Sequence, residues 1–462
     1  MQNKIILFFS FLFFILLTLF SIRIPFFWDG VFFSETAVQF YKNGFGNLIP
    51  PIETDTGGFP LYSIFLTLGW KVFGKSLLVS HFILLPFLLG IVYQYFILAK
   101  RFLINQSLLF AMLLLLIEPT LMTQSVLMGY DLCVIFFFLW AINSLLVHKT
   151  KVYSLALTLL CLSSVRGSIL GCSLLIIDIA LNYSKSRNLK IKAIPYLLPF
   201  LFIFIWAFYH FQNIGWFFFS PERENNHEKV LPLSMMFRQL FFIGWKIADF
   251  GRIAQWLFLF LGSYYLLKKQ TKTELPTVLK MLFIPLITLC LFMIPLANPI
   301  GHKYFIVVFL MLNIAICCLI QQIQNRKIQI IIFVLFFISL FTGNFWLYPE
   351  RLGNGWDSSL KVIPYFHLKE EMDEFIKEEK IDIKQIGTQF PLIADKKYSH
   401  LIDSSYYYNN VWSGPTSKYN YFLFTNVINS DISNQIEETK NTWQLIKSLK
   451  SGQVYISLYK KK

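Results

Sequence analysis

Charge is scarce in this chain. Only 15% of its 462 residues are Asp, Glu, Lys or Arg, against 56% that are hydrophobic. A soluble protein of this length cannot bury so much apolar surface, which leaves a polytopic membrane protein. Cysteine is scarce as well. Cys133, Cys161, Cys172, Cys290, Cys317 and Cys318 all fall inside apolar runs. No disulfide framework is expected, and small apolar packing is their role. Alternating apolar and polar residues over about ten positions, the mark of membrane-barrel strands, are missing, so helices remain. No sustained repeat is visible, and inverted repeats mark many transporters. Acids are fewer than bases, 26 against 41, giving a net charge of +15. That excess invites a nucleic-acid reading, but its distribution argues for membrane topology instead.

The apolar runs are long enough to cross roughly 30 Å of hydrocarbon. They fall at 5–23, 78–99, 107–124, 130–147, 152–165, 168–182, 194–213, 251–267, 278–297, 304–321 and 328–347, predicting about eleven transmembrane helices. The run from Ile5 to Phe20 has no small-residue cleavage site before Arg23, so it reads as an uncleaved first helix. Basic residues fill every second gap: Lys4; Lys100 and Arg101; Lys149 and Lys151; Lys185 to Lys192; Lys268 to Lys272; Arg326 and Lys327. Cationic loops stay in the cytoplasm. The N-terminus is therefore expected inside, and an odd number of spans puts the tail outside.

Three zones follow. Residues 24–77 form a first outer loop, with amphipathic or interfacial stretches at Val31–Tyr41 and Leu61–Phe73 around a Pro/Gly-rich turn, Pro50–Pro60. The rest of the transmembrane unit, to residue 347, has one sizeable outer loop at 214–250. It carries Pro221-Glu222-Arg223-Glu224 and an interfacial helix from Leu233 to Trp245. Residues 348–462 turn abruptly polar. They predict a small α/β domain with helices at Leu368–Lys380 and Ile436–Leu449 and strands at Ile383–Phe390, Tyr421–Ile428 and Val454–Tyr459.

Acids cluster between Phe26 and Pro60 of the first outer loop, where Asp29, Glu35, Glu53 and Asp55 face a single basic residue, Lys42. Asp29, in Trp28-Asp29-Gly30, is either a turn acid at the interface or a general base whose partial desolvation strengthens it. Glu35 lies on a solvated helix face or helps orient a ligand. Asp55 opens Asp55-Thr56-Gly57-Gly58-Phe59-Pro60-Leu61, an Asx turn or a close backbone approach to a ligand. With Asp29 it could flank an acceptor or share a divalent cation. Glu118 and Asp131 stand at span ends facing the same side. Arg166, Arg252, His302 and Lys303 run against the inner-loop bias. They either snorkel to headgroups or form a cationic pocket for phosphate.

One chemistry uses both sets. An acid activates a hydroxyl while cations stabilise a departing phosphate, as in sugar transfer from a phosphate-linked lipid. The pattern resembles the GT-C superfamily of polytopic glycosyltransferases, especially bacterial relatives of protein O-mannosyltransferases and lipid A aminoarabinose transferases. The resemblance rests on Asp29, on Asp55–Leu61 leading into Trp70-Lys71-Val72-Phe73-Gly74-Lys75-Ser76, on Glu118-Pro119 with Tyr130-Asp131, and on Gly301-His302-Lys303-Tyr304-Phe305 before a late span. It implies a helical bundle in a bacterial inner membrane and a polyprenyl-phosphate sugar donor. It also implies a hydroxyl acceptor, inversion at the anomeric carbon, and Asp29 as base. Many relatives have Asp-Glu where this chain has Asp29-Gly30, and His-Pro-Pro where it has Gly58-Phe59-Pro60. Two other classes are open: a transporter or flippase of lipid-linked glycans, and a membrane scaffold whose tail binds a partner.

Overall fold

The computed structural model describes residues 2–186, 193–217, 229–268, 274–297, 300–346, 348, 355–411, 418–428 and 442–462. The Pro221–Glu224 stretch and several of the basic inner-loop residues lie outside the described residues.

Each expected span is helical, with one of them broken in two. The first is α1 (Gln2–Ser21), followed by the loop helices α2 (Asp29–Asn43) and α3 (Leu61–Phe73). Then come α4 (Leu77–Phe102), α5 (Asn105–Leu116), α6 (Pro119–Val126), α7 (Asp131–Leu146), α8 (Thr150–Ser163), α9 (Val165–Ser186) and α10 (Ile194–Ile214). After them run α11 (Leu233–Ala248), α12 (Arg252–Lys268), α13 (Leu275–Met293), α14 (Ile306–Gln321) and α15 (Arg326–Gly343). Among the described residues, seven helical segments are long and apolar enough to cross a membrane, or eight if α5 and α6 count as one span. The shorter helices α7, α8 and α12 pack into the same bundle. Helix α14 is its axis, buried from Ile306 to Ile320, as an all-round apolar helix must be.

The expected run at 107–124 is not straight. It breaks into α5 and α6, bent by 49°. Pro119 has no N–H to continue the ladder, and the Glu118 side chain caps the new helix by accepting from Leu121 N at 2.6 Å. The break places Gln124, Leu127 and Gly129 beside the loop helices. Loop helices α2 and α3 are pinned together by hydroxyls: Ser63 donates to the Phe33 carbonyl and Thr67 to that of Ala37.

Beyond α15 lies a small α/β unit: α16 (Pro364–Glu378), β1 (Ile386–Thr388), α17 (Lys396–Ser399), β2 (Asn409–Asn410), β3 (Tyr421–Thr425), β4 (Trp443–Ser451) and β5 (Val454–Lys461). The sheet order is β2-β1-β3-β5-β4, parallel across the first three strands and antiparallel across the rest. The expected helix at Ile436–Leu449 is corrected: residues 443–451 form β4, and 436–441 lie outside the described residues. Its local pattern permits a helix, but Gly452 (φ 58°) turns the chain so that β4 pairs with β5 along its length. The strand expected from Ile383 starts as a 3-10 turn and becomes β1 only at Ile386, and that expected at Tyr421–Ile428 ends at Thr425.

The core of this unit reaches into the membrane-side loops. Phe27 and Leu127 are buried in one cluster with Trp356, Tyr365, Leu368 and Ile456. The segment that carries Asp29 is therefore packed inside the tail's apolar core.

Candidate active site

Asp29 is the first residue of α2, where the helix N-terminus favours a negative charge. Before it, Trp28 has φ 49°, a left-handed backbone that a tryptophan adopts only under constraint. Its ring stacks on Phe27 (5.5 Å) and meets Phe390 of the tail at 5.3 Å. The Trp28 indole N–H is buried without an acceptor among the described residues.

Opposite stands Lys303, in a 3-10 turn (His302–Phe305) that leads into α14. Its ammonium lies 2.7 Å from Asp29 Oδ2 and 3.0 Å from Asp357 Oδ2. Asp357 belongs to the short turn Trp356–Ser358 after the last span. Its Oδ1 accepts from the Ser358 hydroxyl at 3.0 Å, and its carbonyl accepts from Gln124 Nε2 at 2.6 Å. The Asp29 side chain remains 38% exposed, whereas that of Asp357 is 5% exposed. Asp29, Trp28, Gln124, Tyr130, Lys303 and Asp357 line one small cleft.

A second pair lies behind Tyr130, which lines the cleft beside Asp29 and Lys303. Arg166, at the start of α9, binds Asp131 Oδ1 at 2.6 Å, donates to the Tyr130 hydroxyl, and lies 3.9 Å over the Tyr304 ring. Asp131 Oδ2 is buried with no partner among the described residues, an unmet acceptor of the kind that a substrate hydroxyl or water satisfies. The structure thus brings together Asp29, Lys303, Asp131 and Arg166.

The other expected site residues are engaged elsewhere. Arg252, 1% exposed, is held by Glu118 Oε1, by the Thr120 hydroxyl (2.8 Å) and by the Asp249 carbonyl (3.1 Å), with its guanidinium 3.6 Å over Phe309. His302 Nε2 pairs with Asp249 Oδ2 at 2.7 Å, and its ring stacks on Phe250. Burial alone would raise the Asp249 carboxyl. The His302 ring, the Tyr348 hydroxyl and the Phe250 N–H hold it below its ordinary range. Nearby, burial and the charge of Lys246 pull Lys361 down to about 7.

Asp55 is fully buried. Its Oδ2 pairs with His210 Nε2 at 2.9 Å, and its Oδ1 accepts from Gly57 N at 2.8 Å, closing the Asx turn. It lines no part of the cleft. Glu35 sits halfway along α2 against α17. Burial, then Glu53, raises its pKa, partly offset by a hydrogen bond from Tyr398.

A shared divalent cation does not fit these donors. Among the described residues no group of three His, Cys, Asp or Glu side chains converges. Lys303 already occupies the space against Asp29 that a cation would take, and both Asp55 oxygens are engaged.

Sequence reasoning missed Asp357, Gln124, Asp249 and His210. Asp357 had one visible signal: Trp356-Asp357 repeats the Trp-Asp pair of Trp28-Asp29.

No family model matches the chain, and no curated protein matches it in sequence. Among solved structures it is similar to ArnT from Cupriavidus metallidurans bound to undecaprenyl phosphate. Identity is 11% and the TM-score 0.56, and the match covers 99% of this chain and 96% of that one. The likeness is one of fold. The chain shares that architecture, a bundle of apolar helices with a small C-terminal sheet.

Proposed function

We propose that this protein is a membrane glycosyltransferase that moves a sugar from a polyprenyl-phosphate donor to a hydroxyl acceptor. The observation that carries the reading is the pairing of a partly exposed carboxylate, Asp29, with a buried ammonium, Lys303, in one cleft. A base and a cation side by side suit a displacement in which a proton is lost at one end and phosphate charge develops at the other. The ArnT-like fold agrees, since that neighbour was solved with undecaprenyl phosphate bound.

The donor phosphate draws the Lys303 charge toward itself, and Asp29 is released to take the acceptor proton. The acceptor oxygen bonds to the anomeric carbon from the opposite face, with inversion. The bond from that carbon to phosphate oxygen breaks, and polyprenyl phosphate leaves with the electron pair. Arg166 is the second phosphate-facing cation, oriented by Asp131 and Tyr130. Asp131 Oδ2 is free to accept from a substrate hydroxyl. Arg252, Glu118, His302 and Asp55 are read as bracing the structure behind the cleft walls. The reading includes two units, 1–347 and 348–462, with the cleft and tail on the non-cytoplasmic face of a bacterial inner membrane. It includes no nucleic-acid partner.

The test uses membranes containing wild-type protein or the Asp29→Asn variant, supplied with a sugar-labelled polyprenyl-phosphate lipid fraction. Wild type moves label out of that fraction into a new product, and the variant loses at least about a hundredfold in rate. Undiminished turnover by the variant rejects Asp29 as base. Passage of labelled lipid across vesicles with no new product supports the flippase reading instead.

A further inference from the structure

Lys303 carries two carboxylates where one would neutralise it. They are not equivalent. Asp29 is partly exposed at the cleft, whereas Asp357 is buried and fixed by Ser358 and Gln124. Asp357 comes from a separate part of the chain, after the last span; Lys303 is its one salt-bridge partner among the described residues, and its charge also reaches Lys246 at longer range. Its charge acts on the cleft through Lys303.

This inference rests on the reading of the cleft as the donor-phosphate site. We propose that Asp357 is a release residue: a resident counter-charge that holds Lys303 before the donor arrives and reclaims it when polyprenyl phosphate leaves. The need for it lies in the chemistry of the two ligands. The donor is a phosphodiester with one negative charge. The product is a phosphate monoester with about −1.5 to −2 charge near neutral pH. A bare buried ammonium therefore grips the product harder than the substrate, and turnover stalls on release. A second carboxylate at 3.0 Å weakens that grip without removing the cation. Asp357 is a positioning residue and touches no reacting atom.

A purely structural role and a release role differ in sign. If Asp357 only braces Lys303, its loss weakens or leaves unchanged the binding of phosphate. If it competes for Lys303, its loss tightens binding.

The experiment titrates full-length purified protein in nanodiscs with undecaprenyl phosphate as probe. It compares wild type, Asp357→Asn, Asp357→Glu, Lys303→Met and the Lys303→Met/Asp357→Asn double variant. Asp357→Asn is expected to bind about tenfold tighter, mostly through slower dissociation. Asp357→Glu returns to the wild-type value, Lys303→Met binds more weakly, and Asp357→Asn has no effect in the Lys303→Met background. If Asp357→Asn lacks the wild-type melting transition, Asp357→Ser takes its place with the same expected result. Unchanged or weaker binding by the folded variant, with Lys303→Met still impaired, overturns the release role and leaves the donor-site reading standing. Binding by Lys303→Met equal to wild type overturns the donor-site reading itself.

Discussion

The peptide N–H of Phe26 donates to the carbonyl of Ser399 at 2.9 Å. That one bond ties the loop before Asp29 to α17 in the tail. Ser34 on α2 repeats the tie by donating to the Tyr398 carbonyl at 2.8 Å. With Phe27 and Trp28 packed against tail aromatics, the segment that carries Asp29 is held from the polar side of the molecule rather than by the bundle alone.

A chain ending at Tyr348 is therefore expected to lose the structure of residues 24–30, not merely a passive cap. Limited proteolysis in detergent should cut there in the truncated chain and spare the full-length one. Equal protection in both would show that the tail does not brace the site. A tail that served only as a partner-binding module would leave the truncated bundle catalytically intact.

Arg252 and Glu118 give a sharper test of the wall assignment. Arg252→Met strands a buried carboxylate and is expected to destabilise the protein by about 3–5 kcal/mol, while the Glu118→Gln/Arg252→Met pair recovers much of that. Thermal unfolding of the two variants measures it. If Arg252 were a phosphate ligand instead, binding of undecaprenyl phosphate would fall in the double variant although stability had returned.

Lys361 predicts a pH dependence. Its folded-state pKa is about 7 because it is buried, below the ordinary lysine value of about 10.4. The unfolded chain then binds more protons between those two values, so its contribution to stability rises with pH across that window and is lowest below it. Lys361→Met should gain stability over wild type at pH 6, and the gain should shrink by pH 9. A difference that stays constant across the range would reject the shift.

Most of the fold could be read from hydrophobic runs, because lipid leaves few choices for a backbone segment about 20 residues long. The break at Glu118-Pro119 and the strand at Trp443–Ser451 were harder to read. Each depends on a local breaker or a distant partner rather than on periodicity. The site was legible in part. Asp29, Lys303, Asp131 and Arg166 stood out as charges on the wrong side or at span ends, and the structure gathers them. Asp357 did not, because it lies 54 residues after Lys303 in a segment whose polarity marks it as separate. Arg252 and Asp55 carried the same outward signal as the cleft residues. Only their coordinates reveal that buried partners take up their charge.

The twist at Trp28 has a consequence for how this position can change. Glycine would relieve the backbone but forfeit the rings that meet Phe27 and Phe390. Any other aromatic residue would keep the rings and inherit the tension. No single replacement meets both demands, so the turn that aims Asp29 tolerates drift only if its aromatic neighbours drift with it.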